Sequence, residues 1–192
     1  MKILISVWAL LLSISVQAQD LTQHMKFMGI PMDCDANTFA KKLEKEKGLK
    51  RGDYGFTEKI TLLGDFSGYK DCLFIIDIEG SNPIGGVGVI FQKQETFQLL
   101  LSQYQTMKTR LTTKYGKPTT EVEGFQNYEP STDYGKLREL REGNAMFETN
   151  FIFDEGQIKL QMCCVDLYGY LQLLYIDFKN AMIQNDKALD DL

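Results

Sequence analysis

The clearest period in the chain runs from Phe97 to Tyr115. Phe97, Leu100, Tyr104, Met107, Leu111 and Tyr115 recur at steps of three and four. That spacing gathers them on one face of a helix of roughly 20 residues, with a sheet predicted beneath the apolar stripe. Gly116 and Pro118 supply the stop. A shorter helix is predicted earlier. Asp35-Ala36-Asn37-Thr38 is rich in N-cap residues, Phe39, Ala40 and Leu43 mark one face, and Gly48 ends it. Lys45 and Lys47 in its last turn suit the helix dipole.

Elsewhere the period is two. Phe27 to Met32 reads as a short first strand. Thr57–Phe66, Cys72–Glu79 and Val87–Gln92 read as three strands joined by Ser67-Gly68-Tyr69-Lys70 and by a wide turn through Gly80-Ser81-Asn82-Pro83 and Gly85-Gly86. After the long helix, residues 119–126 read as a strand, and residues 127–136 are rich in turn formers. Leu137 and Leu140 mark a short helix ending at Gly143. Ala145–Phe153, Gln157–Asp166 and Tyr170–Phe178 are three more strands. Asp154-Glu155-Gly156 signals a hairpin between the first pair, and Tyr168-Gly169 a turn between the second. The tail from Asn180 is polar.

This order predicts an α+β fold. Two halves, about residues 27–92 and 94–178, each lay a helix on an antiparallel meander, with the helices on one face of the sheet. The repeat is one of architecture, without residue-level self-similarity.

The first eighteen residues stand apart. Met1-Lys2 is a short basic start, Ile3 to Val16 is apolar but for serines, and Val16-Gln17-Ala18 fits a signal peptidase site. Residues 1–18 are predicted to be a secretory signal peptide and residues 19–192 a single exported domain, periplasmic or secreted. The leader is shorter than the roughly 20 residues that a membrane span needs. No later segment is long and apolar enough to span, and no cysteine follows the cleavage point to carry a lipid.

Composition narrows the partners. The chain has 44% hydrophobic and 24% charged residues and a net charge of -5. That is ordinary for a globular domain with a real core. A mildly acidic protein has no long-range pull on phosphate backbones, so nucleic acid is not an expected partner. The lysines between Lys41 and Arg51 alternate with Glu44 and Glu46 and read as a solvated helix face.

Candidate chemistry is sparse. Asp33, Asp35, Asn37 and Glu44 match the acidic spacing of an EF-hand loop, but Thr38 stands where that loop needs glycine and Lys41 where it needs a ligand. Helix capping accounts for them better. Ser67-Gly68-Tyr69-Lys70 matches the Ser-x-x-Lys of penicillin-recognising enzymes, yet it falls in a turn and its companion motifs are missing. Gly85-Gly86-Val87-Gly88 leads into a strand, whereas a phosphate loop leads into a helix. His24, the single histidine, falls in a polar lead-in and is a weak candidate for catalysis or zinc. No metal site and no cofactor are predicted.

Export permits disulfides, and Cys34, Cys72, Cys163 and Cys164 allow three full pairings, which sequence does not choose among. Cys163 and Cys164 are adjacent on a strand, so their side chains face opposite ways. Buried free thiols are the alternative. Of the 12 Phe and 9 Tyr, most fall at core periods. Tyr128 and Tyr134 are exceptions in the turn-rich stretch and are the candidate anchors for a protein or glycan partner.

Four stretches carry a resemblance. They are Phe27-Met28-Gly29-Ile30-Pro31, Gly64-Asp65-Phe66-Ser67-Gly68-Tyr69, Lys114-Tyr115-Gly116-Lys117-Pro118 and Tyr175-Ile176-Asp177. Together they resemble the small exported domains of unknown function found in gut anaerobic bacteria. The duplicated helix-plus-meander is also similar, at the level of fold, to β-lactamase inhibitor protein-like modules, a likeness that transfers no residues.

The leading expectation is an exported, non-catalytic binding or inhibitor-like module, which predicts an exposed apolar or aromatic patch. A small envelope hydrolase using carboxylates predicts instead a cleft holding two acids. A structural envelope protein is the third alternative.

Overall fold

The structure, a computed structural model, describes residues 23–53, 59–77 and 83–183. The expected signal peptide lies outside the described residues, as do parts of the expected strands at Thr57 and Glu79, the turn at residues 80–82 and the tail from residue 184. A hairpin of β1 (Lys26–Phe27) and β2 (Ile30–Pro31) opens the described chain. Then follow α1 (Ala36–Lys47), β3 (Lys50–Gly52), β4 (Lys59–Phe66), β5 (Tyr69–Asp77) and β6 (Gly86–Ile90). The second half is α2 (Phe97–Tyr115), β7 (Thr120–Phe125), α3 (Asp133–Arg141), β8 (Ala145–Ile152), β9 (Gly156–Val165) and β10 (Tyr168–Asp177). Residues 178–183 are helical.

Eight strands form one antiparallel sheet in the order β3-β4-β5-β6-β10-β9-β8-β7. Each half therefore supplies four successive strands, the first with α1 and the second with α2 and α3, and the last strands of the two halves pair at the centre, Val89 opposite Leu173. The α+β fold of two helix-plus-meander halves is as the patterning predicts.

The helices start where side chains can satisfy their free N–H groups. Asp35 accepts the Thr38 N–H at 3.0 Å, Thr96 that of Leu99 at 3.2 Å and Thr132 that of Gly135 at 3.1 Å. Asp35 is thus a cap and no calcium ligand is needed to explain it. Gly48 ends α1 in the left-handed region, with φ 69°.

The core lies between the helices and one face of the sheet. Leu62, Phe74, Val89, Leu173, Leu160 and Thr149 form a continuous cross-strand row on that face, all wholly buried. The stripe of α2 covers its second half, with Phe97, Leu100, Tyr104, Met107 and Leu111 buried. Phe39, Ala40 and Leu43 of α1 are buried likewise.

Two local expectations are corrected, and one strand is unexpected. The single strand at Phe27–Met32 is a hairpin, because Met28 and Gly29 both take positive φ, at 50° and 83°. The turn between β9 and β10 is Asp166-Leu167, and Gly169 is instead inside β10, where a Cβ would lie 2.5 Å from Leu100 Cδ2. The strand β3 has no hydrophobic alternation to announce it.

A polar knot fastens the start and end of the described chain to the middle. Asp177, wholly buried, accepts the Met25 N–H at 2.8 Å and the Asn180 N–H at 2.9 Å. Asn180 donates to the carbonyls of Met32 at 2.6 Å and Ile84 at 2.8 Å.

Candidate functional site

In a strand, alternate residues face opposite sides of the sheet. The residues between the core positions therefore build the other face, which carries none of the named helices. Two cross-strand rows define it. One runs Leu63, Leu73, Ile90, Gln172, Gln161, Glu148, and the other Thr61, Ile75, Gly88, Leu174, Lys159, Asn150.

The rows change character halfway. Over the first half and the central pair of strands the side chains are mainly aliphatic, with Thr61 and Gln172 the polar members. Leu63, Leu73, Ile75, Ile90, Leu174 and Ile176 are all half-buried. Over the second half the members next to the central pair are polar and bonded to one another, while Val122, Met146 and Ile152 on the outer strands β7 and β8 are exposed apolar side chains of the same face. Gln161 Nε2 donates to Gln172 Oε1 at 2.8 Å, and Lys159 pairs with Glu148 at 3.0 Å. Asn150 Nδ2 donates to Glu148 Oε1 at 2.8 Å, and Gln157 Nε2 to Asn150 Oδ1 at 2.6 Å. Burial pushes the Glu148 carboxyl up, but the hydrogen bonds from Asn150 and Lys159 outweigh it and hold the group below the ordinary glutamate value.

The aliphatic half is hollowed by glycine. Gly86 and Gly88 floor a cavity of about 450 Å³ walled by Ile75, Ile90, Leu174 and Ile176, with Gln172 at its rim and Ala181 among its lining. A Cβ on Gly88 would stand 3.3 Å from Leu174 Cδ2 and 3.9 Å from Ile75 Cβ, within the trough itself. The glycine-rich stretch that reads as a hairpin connection therefore shapes a cavity on this face. The readable signal was the alternation of glycine with Val87 and Val89, which leaves one face of the strand bare while the other is core.

The other candidate residues lie elsewhere. Tyr128, in the loop after β7, and Tyr134, in the first turn of α3, are 63% and 61% exposed. The structure does not place them on the trough, since Tyr134 belongs to a helix of the opposite face. Cys34, Cys72, Cys163 and Cys164 are free thiols. Burial raises the pKa of each, that of Cys72 to about 11, so none is activated as a nucleophile. His24, expected in a loose lead-in, is held with Nδ1 3.2 Å from Asp177 Oδ2. No group of three metal-ligating side chains converges among the described residues.

Two smaller cavities lie around Tyr115. One of about 330 Å³ is bordered by α1, α2 and the β4–β5 turn, and one of about 310 Å³ is lined by His24 and Glu155. None of the three cavities is lined by two carboxylates. The buried acids are committed to the fold: Asp177 to the knot, and Glu139 to Arg138 and to the Asn144 amide at 3.0 Å.

No family model, no curated protein and no solved structure matches the chain.

Proposed function

We propose that the protein is an exported, non-catalytic binding module that grips a protein partner with the aliphatic trough on the face opposite α1, α2 and α3. The observation that carries this reading is the contrast between the two halves of that face. The same architecture is used twice, yet one copy carries a hydrogen-bonded polar ladder, with Val122, Met146 and Ile152 only at its outer strands, and the other gathers half-exposed leucine and isoleucine around a glycine-floored cavity. Apolar area left uncovered loses about 25 cal/mol per Å² relative to burial. Such a patch is characteristic of a surface that binds.

The chemistry of the walls supports a polypeptide. They are aliphatic, which suits leucine-like side chains of a protein segment, whereas glycan recognition relies on exposed rings such as Tyr128 and Tyr134. Export rests on the apolar leader of Ile3 to Val16. An inhibitor-like action would follow from occupying a partner's own apolar groove.

Native mass spectrometry on protein recovered from its host's envelope tests the reading. The wild type and Gln161→Ala should carry a stoichiometric protein companion, and Leu174→Lys, folded with an unchanged melting temperature, should lose it. A companion retained by Leu174→Lys, or the bare mature mass in every case, would overturn the proposal.

A further inference from the structure

The helix-bearing side holds a second feature that the partner face does not use. We propose that the 330 Å³ crevice between the C-terminal ends of α1 and α2 binds a small phosphomonoester, head group among Lys47, Arg110 and Lys114 and apolar body against Phe66 and Met107. Arg110 and Lys114 stand four residues apart on α2 and so share one helix face. Lys47 reaches the same space from the last turn of α1.

Among the described residues none of these three cations has a carboxylate within ion-pair distance. The contrast on the same helix is direct: Lys108 is bound by both Glu121, at 2.8 Å, and Glu123, at 2.5 Å. Three unpaired cations around one cavity run against the sign of a chain of net charge -5. Helix-dipole compensation accounts for lysine in a last turn. It accounts neither for Arg110, more than a turn from the end, nor for the cavity. Both helix ends are in any case capped, by Gly48 N–H to Glu44 O at 3.1 Å and Gly116 N–H to Thr112 O at 2.9 Å.

The cations are held for the task. The Arg110 guanidinium lies 5.2 Å from the centre of the Tyr69 ring and donates to the Ser67 carbonyl, which fixes its plane and leaves further N–H groups to bind. Lys114 Nζ sits 4.6 Å from the centre of the Tyr115 ring. Tyr175 lines the crevice from the central strand, and burial, aided by the neighbouring Tyr115 hydroxyl, pushes its phenol pKa up, so it adds no negative charge to the crevice. A phosphomonoester carries a charge of about -1.5 to -2 at pH 7 and three strong acceptor oxygens, which answers three cations better than a single carboxylate does. Met28, Phe66, Met107 and Leu111 complete an apolar wall.

Isothermal titration of purified protein with phenyl phosphate, inorganic phosphate and benzoate tests the site. Phenyl phosphate should bind saturably at one site, more tightly than either of the others, and more weakly as salt rises. The double variant Lys47→Gln with Lys114→Gln, both exposed positions, should weaken it about tenfold or more, while Lys159→Gln on the opposite face should leave it unchanged. Equal affinity for benzoate, equal affinity in the double variant, or no saturable binding would each overturn the proposal. The partner companion of the trough is unaffected by any of these results, so the two readings fail separately.

Discussion

The hydroxyl of Tyr104, on the long helix, meets the hydroxyl of Thr149, in the sheet beneath it, at 2.5 Å. Both residues are wholly buried. Thr149 is the one polar member of an otherwise apolar row, and Tyr104 supplies the partner that makes its burial tolerable. Tyr104→Phe orphans that hydroxyl and should cost about 1–3 kcal/mol of stability. Adding Thr149→Val removes the orphan and should recover much of the loss. Urea unfolding of the two single variants and the double variant measures the coupling. Simple additivity would show that the pair is not acting as a unit.

The Asp177 knot predicts a larger effect. Its carboxylate serves two backbone N–H groups and His24. Asp177→Ala leaves those donors buried without acceptors and unpins both the N-terminal hairpin and the helical turn at residues 178–183. A loss of about 3 kcal/mol is expected, seen as a lower urea midpoint. Hydrogen exchange should show Met25 and Asn180 amides losing protection before the sheet does. Unchanged protection at both amides would refute the role given to Asp177.

Both interactions explain where sequence reading succeeded and where it stopped. The long helix was legible because six apolar residues recur at helical spacing, and tertiary packing agrees with that local preference. The β9–β10 turn was misplaced because Gly169 looks like a turn residue, whereas its need is steric room beside Leu100. His24 gave no sign of order because its partner lies 153 positions away. The trough was hidden for a similar reason. Gly86 and Gly88 are visible in the sequence, but the walls come from β5 and β10, whose pairing with β6 is a long-range fact. Lys47 and Arg110 are likewise brought to one crevice only by the fold.

Acid should weaken the clasp between α2 and β7. Burial pushes the Glu123 carboxyl up, but hydrogen bonds from Lys108 and Gln105 and the charge of Lys108 outweigh it, so its folded pKa lies below the ordinary 4.5. A depressed folded pKa contributes stability that is fully present above 4.5 and is lost as pH falls through the folded value. Glu123→Gln should therefore lower stability at pH 7 and flatten its decline below pH 4.5. Thermal melts of both proteins across that range test this. Parallel curves would mean that Glu123 titrates alike in the folded and unfolded chain.

The β8–β9 hairpin depends on the absence of a side chain at Gly156. A Cβ there would lie 2.2 Å from the Ile176 carbonyl oxygen, a backbone atom of the paired central strand that cannot turn aside. Gly156→Ala should cost about 2–3 kcal/mol, more than the same change at a solvent-facing strand position. Gly143→Ala makes a useful comparison. Nothing stands within 4 Å of its Cβ, and its cost comes only from a φ of 77°. Melting temperatures should fall further for Gly156→Ala, and a reversed order would show that β10 shifts to admit the methyl group.

The thiols give a separate readout of the same packing. Cys72 is wholly buried, and burial raises its pKa to about 11. At pH 8 only roughly a thousandth of it is thiolate, and that fraction is out of reach of solvent. Cys34, Cys163 and Cys164 are half-buried, and no disulfide joins any of the four. Iodoacetamide at pH 8 should therefore label the three before Cys72, and Cys72 only as fast as the protein opens. Peptide mass spectrometry over the time course resolves the order. A denaturant that lowers stability by about 1.4 kcal/mol should speed Cys72 labelling about tenfold where opening and closing are fast. Early labelling of Cys72, or a mass short of the hydrogens that four free thiols carry, would contradict the arrangement of β5 against the core.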